Sequence, residues 1–298
     1  MKSQRKHARV FSFEISPPKT SEGAERLRVV CERLVALRPS YVSVTCGTGG
    51  APRDHTSATA REFQERFAPL VEAAPHLIGI GSTQETVREI LAAYRAMGIR
   101  RLVVVRGDLP AAAPETAGQF PHASDLVAFI RAETGSHFHV EVAAHPEFHP
   151  GAPSAQADLE HFKRKVEAGA TSALTQYFYN PDAYLRFVES CEQLGVTLPI
   201  VPGIMPIMSY ERLARFSEVA GVEIPRWLRR RLEGFGDDVQ SLRAFCLDVV
   251  TDLCERLLRE GAPGLHLYTM NSAEAACVIW WRLGLPGHRV PAASPGTP

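Results

Sequence analysis

Eight short runs rich in apolar and β-branched residues alternate with longer segments of helical period along this chain of 298 residues. The predicted strands are 9–15, 40–45, 76–80, 101–105, 138–144, 172–178, 198–204 and 264–270. The predicted helical segments are 21–37, 56–72, 83–97, 123–133, 154–168, 181–194, 208–259 and 272–283. Repeated strand–helix units imply a parallel sheet, because each crossover between parallel strands needs a long connection such as a helix.

Two topologies accommodate such a sheet: an open doubly wound sheet and a closed (β/α)8 barrel. The first strand is followed by SPPKT (16–20) instead of a glycine-rich turn, and neither GxGxxG nor GxxxxGK[ST] occurs in the chain. Eight units without an internal linker therefore predict an α/β fold, a single-domain (β/α)8 TIM barrel over residues 9–285. The charged head, residues 1–8, and the proline-rich tail, residues 286–298, are predicted to be flexible.

Charge balance and cysteine usage argue against several functional classes. Lys+Arg and Asp+Glu both number 33, so the formal net charge is +0 and no global field attracts nucleic acid or an anionic membrane. No apolar run approaches membrane-spanning length, and the basic start lacks the apolar region of a signal peptide. The six cysteines are scattered without a CxxC pair. These features predict a reduced, cytoplasmic protein.

Polar residues occur where several predicted strands end. Ser12 and Glu14 share one face of the first strand, which points the carboxylate into the barrel lumen near its upper rim. Asp108 follows the fourth strand, Gln176 lies in the sixth, and Tyr268 lies in the eighth. Each alone could be an ion-pair partner, a loop cap or a core residue. Their joint occurrence predicts an active site, because barrel enzymes place theirs at the carboxyl ends of the strands.

The HPEFHP run (145–150) after the fifth strand offers a second interpretation. His145, Glu147 and His149 are residue types that bind metals, and a metal-dependent barrel hydrolase could use them. However, HExxH spacing is absent and the first strand has no His-x-His pair. We therefore favour a loop stiffened by two prolines, whose imidazoles donate to a phosphate or a ribose, and predict no metal.

Ten segments occur in the order and spacing of a known family. They are FSFEISPPKT, YVSVTCGTGG, APHLIGI, RGDLP, ASDLV, AAHPEFHP, SAQADLEHFKRKVEAGA, TQYFYN, PGIMPI and HLYTMN. Through them, roughly residues 10–285 resemble the bacterial methylenetetrahydrofolate reductases. The resemblance implies a (β/α)8 barrel that binds FAD without a dinucleotide fingerprint. It also implies reduction of 5,10-methylenetetrahydrofolate to 5-methyltetrahydrofolate with NADH or NADPH, and a homo-oligomer.

The same resemblance implies roles for individual residues. Glu14 matches the general acid, and Asp108 matches an aspartate near the flavin that also contacts the pterin. The positions matched to substrate contacts are Glu14, Gln176, Tyr210 and Tyr268. The positions matched to FAD contacts, or to their neighbours, are Thr45, His76, Arg106, Gly107, Asp108, His122, Ala123, Ala143, His145, His149, Asp158 and Lys165. The chain departs from the family pattern at Ser16, His122, His145 and Ser272.

The implied reaction is ping-pong, with hydride passing from the nicotinamide to the flavin and then to the folate. The folate ring must open before it accepts hydride, and Glu14 would protonate N10 to open it. Because the surrounding strand is apolar, we expect burial to raise the pKa of Glu14 and to keep the carboxyl protonated near neutral pH. Asp108 is expected to stay charged and to stabilise the cationic folate.

Two further classes remain as alternatives. Another flavin barrel, resembling proline dehydrogenase, would act on a different amine, and amine oxidation needs no N10 acid such as Glu14. A non-catalytic barrel that binds folate as an assembly subunit would require neither Glu14 nor Asp108.

Overall fold

The computed structural model describes residues 1–46, 53–107 and 118–288. Within these residues, all strands of the sheet pair in parallel. The strands are β1 (Val10–Ile15), β2 (Tyr41–Val44), β3 (Glu72–Ile78), β4 (Arg101–Val105), β5 (His139–Ala144), β6 (Ser172–Thr175), β7 (Ile200–Val201), β8 (Gly203–Ile204) and β9 (Gly264–Tyr268). β3 starts earlier than predicted, so His76 lies inside the strand instead of at its start.

The sheet closes into a barrel through its seventh predicted strand. The hydrogen-bonded order is β7-β6-β5-β4-β3-β2-β1-β9-β8. Only Pro202 separates β7 from β8, and its carbonyl accepts a hydrogen bond from His266 N at 3.0 Å. β7 pairs with β6 and β8 pairs with β9, so the two halves of one predicted strand join the ends of the sheet. The predicted (β/α)8 barrel is confirmed.

The helices follow the predicted alternation. They are α1 (Ser21–Val35), α2 (Arg53–Phe67), α3 (Gln84–Ala96), α4 (Ala123–Thr134), α5 (Ala155–Glu167), α6 (Pro181–Gln193), α7 (Tyr210–Ala220), α8 (Arg226–Glu233), α9 (Val239–Glu260) and α10 (Glu274–Arg282). The predicted segment 208–259 divides into three helices because Gly221 ends α7 in a left-handed conformation (φ +66°) and Pro225 precedes α8. No helix in the described part of the chain combines the length and apolar character needed to cross a membrane.

The two faces of the strands differ in character. On β1, Phe13 and Ile15 face outward and are buried beneath the helices, where Phe13 packs on Trp280 of α10 with ring centroids 5.3 Å apart. Burying such a side chain contributes about 2 kcal/mol. Ser12 and Glu14 alternate with them and face the lumen. The apolar residues of the lumen form a second, smaller cluster, namely Tyr41, Ala74, Val103, Leu174 and Val201.

The amino-terminal head is packed, not loose. Residues Gln4–Lys6 form one turn of 3-10 helix, and the Gln4 side chain is buried. Its Nε2 donates to Leu198 O at 3.1 Å and its Oε1 accepts from Ile200 N at 2.8 Å. These bonds satisfy backbone groups at the start of β7, and they contradict the prediction of a flexible head. The predicted flexible tail lies outside the described residues from position 289 onward.

Candidate active site

Glu14 lies in the upper lumen between two histidines. The strand register places it level with Ser43 of β2 and Tyr268 of β9. Its Oε2 is 3.3 Å from His76 Nε2 and 3.8 Å from His266 Nε2. The His266 side chain is fully buried, whereas 18% of the Glu14 side chain is exposed. The carboxylate therefore faces the mouth of the barrel on one side and two imidazoles on the other.

The structure corrects the expected protonation of Glu14. Burial raises the pKa of this carboxyl, as predicted. Hydrogen bonding and positive charge from His266 and His76 lower the pKa by a larger amount, so that it is about 2. The prediction of a carboxyl protonated near neutral pH was therefore wrong. The local sequence around Glu14 is apolar, but its closest polar neighbours come from β3 and β9.

His266 is a functional candidate that the sequence analysis missed. Its Nδ1 lies 2.7 Å from Ser12 Oγ, and this bond fixes the ring with Nε2 towards Glu14. The ring also lies edge-on to Tyr268, with centroids 5.2 Å apart. His266 and Tyr268 are two residues apart on β9, so the alternation of the strand could have placed both in the lumen.

Two loops hold each other at the rim beside Glu14. Asn271 Nδ2 donates to Ser16 O at 2.9 Å, and Asn271 Oδ1 accepts from Ser16 N at 2.8 Å. Thr269 Oγ1 donates to Glu14 O at 2.6 Å. Thr45 Oγ1 donates to Ser16 Oγ at 3.0 Å. These bonds fix the backbone that carries the carboxylate, and they bring the predicted residue Thr45 next to it.

The residues predicted to contact substrate lie on different elements. Tyr268 donates its hydroxyl to the last carbonyl of β6 at 2.7 Å, and Gln176 directly follows β6. Both therefore reach the same rim as Glu14. Tyr210 instead begins α7, and its hydroxyl donates to Glu233 of α8 at 3.3 Å. The structure brings the first two residues together with Glu14 and gives Tyr210 no contact with them in the described chain.

Lys165 is a half-buried cation on the side of the mouth formed by β5 and α5. Its Nζ donates to the Ala143 carbonyl at 2.5 Å. Burial lowers its pKa and the charge of Asp158 raises it, which leaves the pKa at about 8. The Asp158 carboxylate accepts from His149 N at 3.0 Å and so holds the loop above. A buried ammonium whose hydrogen bond goes to a neutral carbonyl favours an anionic ligand.

Of the three predicted histidines on this side of the mouth, His145 and His149 contact each other, whereas His122 lies at the start of α4. Burial lowers the pKa of His145 to about 3, and the charges of Lys165 and His149 act in the same direction. The His145 ring is neutral as a result and lies edge-on to His149, with centroids 4.8 Å apart. His122 caps the amino end of α4, whose first residue is Ala123. A neutral imidazole at position 145 suits packing or hydrogen bonding more than anion binding.

The loop after β4 comes very close to β3. Gly107 has φ +86°, and a Cβ at this position would lie 2.4 Å from Ile78 Cγ2, so a side chain is excluded. Arg106, immediately before it, is exposed. Asp108 lies outside the described residues, and its predicted place beside a flavin stays a prediction.

These features fit a flavin nucleotide. Lys165 supplies a half-buried cation for a diphosphate. His76 Nε2 is buried, 3.3 Å from Glu14 Oε2. The donors that a flavin nucleotide needs are therefore present without a glycine-rich fingerprint.

The HPEFHP loop does not gather a metal site. Glu147 Oε2 accepts from Glu223 N at 2.8 Å, and His149 Nδ1 accepts from Gly151 N at 3.0 Å. No three His, Cys, Asp or Glu side chains converge on a possible metal position in residues 1–46, 53–107 and 118–288. The polar atoms of this loop instead bind nearby backbone.

A closed parallel barrel with a carboxylate, two imidazoles and a half-buried lysine at the carboxyl ends of its strands has the layout of a barrel enzyme. Comparisons with known proteins show to which family of enzymes the chain belongs. The family model described as methylenetetrahydrofolate reductase matches residues 1–284. The 5,10-methylenetetrahydrofolate reductase of Escherichia coli is 39% identical over 277 residues, which cover 93% of this chain and 91% of the relative. The chain belongs to the methylenetetrahydrofolate reductase family.

Two further comparisons extend this result. A probable methylenetetrahydrofolate reductase (NADH) of Oryza sativa is 38% identical over 288 residues, which cover 93% of this chain and 48% of the plant protein. An uncharacterized protein from Clostridium thermocellum, solved with two copies of 5-methyl-5,6,7,8-tetrahydrofolic acid, has a TM-score of 0.65 and 17% identity. That alignment covers 95% of this chain and 96% of the other, and it supports the same fold.

Proposed function

We propose that this chain is an NAD(P)H-dependent flavoprotein that reduces 5,10-methylenetetrahydrofolate to 5-methyltetrahydrofolate, with the barrel of residues 9–285 as its catalytic unit. The bacterial relatives carry this reductase name, and plant relatives carry NADH in theirs. The observation that carries the proposal is the cluster of Glu14, His76 and His266 at the rim, because this reaction needs a proton donor beside the reacting ring.

Glu14 and its histidines act together as the proton donor. The bridged substrate accepts a hydride only after N10 is protonated and the ring opens to an N5 iminium cation. Hydrogen bonding and charge from the two imidazoles hold the pKa of Glu14 near 2, so the carboxyl is ionised in the free protein. Substrate covering the mouth excludes water, and this desolvation favours the protonated carboxyl from which the proton is transferred. After transfer, the carboxylate stabilises the cation by its charge.

FAD is the cofactor that the chain's own residues would hold. Bound FAD supplies a two-electron carrier that accepts a hydride from NAD(P)H and delivers it to the folate, so the two substrates react in ping-pong order. Lys165 would bind the diphosphate, and Asp158 would position the His149 loop beside it. His76, beside Glu14, would contact the flavin from the same rim.

The remaining residues orient the substrate. Gln176 and Tyr268, at the rim, would contact the folate or the nicotinamide, and Tyr210 would cover either one. Asp108 is proposed, on its match to the family pattern, to stay ionised near the flavin and to stabilise the cationic folate. None of these roles requires a metal ion.

The test is the visible spectrum of the purified protein. We expect bound FAD to colour it yellow, NADH or NADPH to bleach it in the absence of oxygen, and 5,10-methylenetetrahydrofolate to restore the colour. Comparing the bleaching rates of the two nucleotides also shows which one is preferred. A protein that neither contains nor takes up FAD, or that stays bleached after folate is added, would contradict the proposal.

A further inference from the structure

The turn that follows β9 holds two residues in a backbone conformation that their side chains disfavour. Met270 has φ +52° and Asn271 has φ +56°, and Ser272 N donates to Thr269 O at 2.9 Å across them. Two successive left-handed residues closed by such a bond are typical of a type I′ turn, in which the second residue is usually glycine. This chain has glycine at neither position. Strained backbone persists only where the surrounding structure enforces it, and such strain is concentrated at functional sites.

Asn271 bonds this turn to the end of β1 through its side chain. Its Oδ1 accepts from Ser16 N at 2.8 Å, and its Nδ2 donates to Ser16 O at 2.9 Å. The two bonds form a clasp between the turn and β1. Asparagine tolerates the left-handed region better than most residues that have a side chain. Glycine adopts this conformation without strain but cannot form the clasp, and ionised aspartate lacks the donor. Asparagine therefore suits this position in both its backbone and its side chain.

The clasp extends the pairing of β1 with β9 beyond the last backbone partners. β1 pairs with β9 as far as Glu14, which lies opposite Tyr268. After Ser16 the chain continues into two prolines, which have no N–H to donate. The amide group of Asn271 takes the place of a further backbone partner and holds the two strand ends together.

These strand ends carry two members of the proton-donating cluster. Glu14 belongs to β1 and His266 belongs to β9, and Glu14 Oε2 lies 3.8 Å from His266 Nε2. The distance between the carboxylate and this imidazole therefore depends on how closely the strand ends are held. Proton transfer requires a donor within hydrogen-bond reach of its acceptor, and a displacement of about 1 Å can slow a reaction about a hundredfold.

We propose that Asn271 is a positioning residue, which holds Glu14 in place for proton transfer to the folate by clasping the backbone of Ser16. This inference rests on the proposed function, because it gives Asn271 a role in the folate half-reaction. Asn271 acts through the backbone and needs no contact with either substrate. Reduction of the flavin by NAD(P)H does not use the proton of Glu14, so it should not depend on the clasp.

Asn271→Gly and Asn271→Ala test the role, because both remove the clasp but only glycine relieves the backbone strain. In the FAD-loaded protein, we expect each variant to slow folate reduction about tenfold to a hundredfold while flavin reduction by NAD(P)H changes less than about twofold. Anaerobic stopped-flow measurement separates the two half-reactions. Asn271→Gly should be the more stable variant in a urea titration. Equal folate defects with unequal stabilities are the result expected of positioning.

The pH profile of the folate half-reaction gives a second measure. The titratable groups near Glu14 are His76 of β3 together with His266 and Tyr268 of β9. Loosening the strand ends weakens the contacts with the imidazoles, so the apparent pKa of the acid should rise in Asn271→Gly. The pH profile of flavin reduction should stay the same. A folate defect that follows the loss of stability, or equal slowing of both half-reactions, would overturn the inference.

Met270→Ala is the matched control, because Met270 lies in the same turn with a left-handed backbone and is 50% exposed. It should leave both half-reactions unchanged. Amide hydrogen exchange tests the clasp itself, since Ser16 N is its donor and the next two residues have no exchangeable amide. Exchange at Ser16 should be faster in Asn271→Gly than in Met270→Ala. Equal exchange in these two variants would overturn the inference.

The outcome is separable from that of the proposed function. A protein of natural sequence whose flavin stays bleached after folate is added would reject the reductase assignment itself. Normal folate reduction by both Asn271 variants would reject only the role of Asn271.

Discussion

Two buried carboxylates in the lumen of this barrel, Glu14 near the top and Glu141 near the bottom, have the same pKa and different partners. The pKa of each is about 2. For Glu141, burial raises it, while the hydrogen bond from His139 and the charge of Arg101 lower it. Arg101 Nη1 lies 2.5 Å from Glu141 Oε1, and Ser172 Oγ donates to Oε2 at 2.5 Å.

The clusters around Glu14 and Glu141 differ in their exposure and in the groups that pair with the carboxylate. Glu141 is 1% exposed and is bound by a guanidinium, which keeps its charge at every accessible pH. Glu14 faces the mouth, and its ion-pair partners are two imidazoles, at 3.3 Å and 3.8 Å, and no guanidinium. The comparison teaches that a similar pKa can describe a fixed structural anion in one place and an adjustable proton site in another.

The substitution Glu14→Gln should have the largest effect. We expect folate reduction to slow about a hundredfold to ten-thousandfold, since an acid catalyst is lost, while reduction of bound flavin by NAD(P)H continues at nearly its normal rate. Anaerobic stopped-flow measurement of the two half-reactions checks this.

Equal losses in both half-reactions of Glu14→Gln would show that Glu14 holds the site together instead of donating a proton.

Glu141→Gln should have the opposite pattern. Removing the Glu141 charge leaves Arg101 with Glu72, 3.3 Å from its Nε, as its remaining ion-pair partner, so the free energy of unfolding should fall by about 3 kcal/mol in a urea titration. The rate constants of the folded fraction should stay close to normal, because Glu141 lies at the far end of the lumen from the mouth. The double variant Arg101→Met/Glu141→Leu is the control, and it should recover much of the loss. A catalytic defect without a stability defect would assign Glu141 to the reaction.

The smallest expected effect is on how the free energy of unfolding declines as the pH falls. For both carboxyls the folded pKa, about 2, lies below the usual value of 4.5, so their stabilisation is present above pH 4.5 and is lost as the pH falls towards 2. Urea titrations between pH 5 and 3 should show a shallower decline for Glu14→Gln and for Glu141→Gln than for the natural sequence. His145, with a pKa of about 3, adds loss in the same direction below pH 6.5 in all three. Parallel curves would mean that neither carboxyl is paired as described.

The fold could be predicted from the sequence because its signals are local. The alternation of strand runs and helical segments predicted the barrel, and the period of two on β1 placed Glu14 in the lumen. The start of β3 was misplaced because Pro75 and the small residues before it have low strand propensity, yet they pair with β2. The head was misjudged because the bonds of Gln4 go to Leu198 and Ile200, which the local pattern does not reveal.

The site residues also divide into those predicted from the sequence and those that only the structure reveals. Glu14, Gln176, Tyr268 and Lys165 were predicted as site residues by position or by resemblance, and the structure places each of them at the carboxyl ends of the strands. His266 was missed, and with it the direction of the Glu14 pKa shift, because that pKa depends on a side chain from the last strand.

By itself, the sequence of this protein determined which elements form, which face of each strand enters the lumen and to which family the motifs belong, since these follow from neighbours within a few residues. Only the tertiary structure decided the charge on Glu14 and the pairing of Arg101 with Glu141. Electrostatic energy depends on distance in space, and closing the barrel brings together groups that lie far apart along the chain.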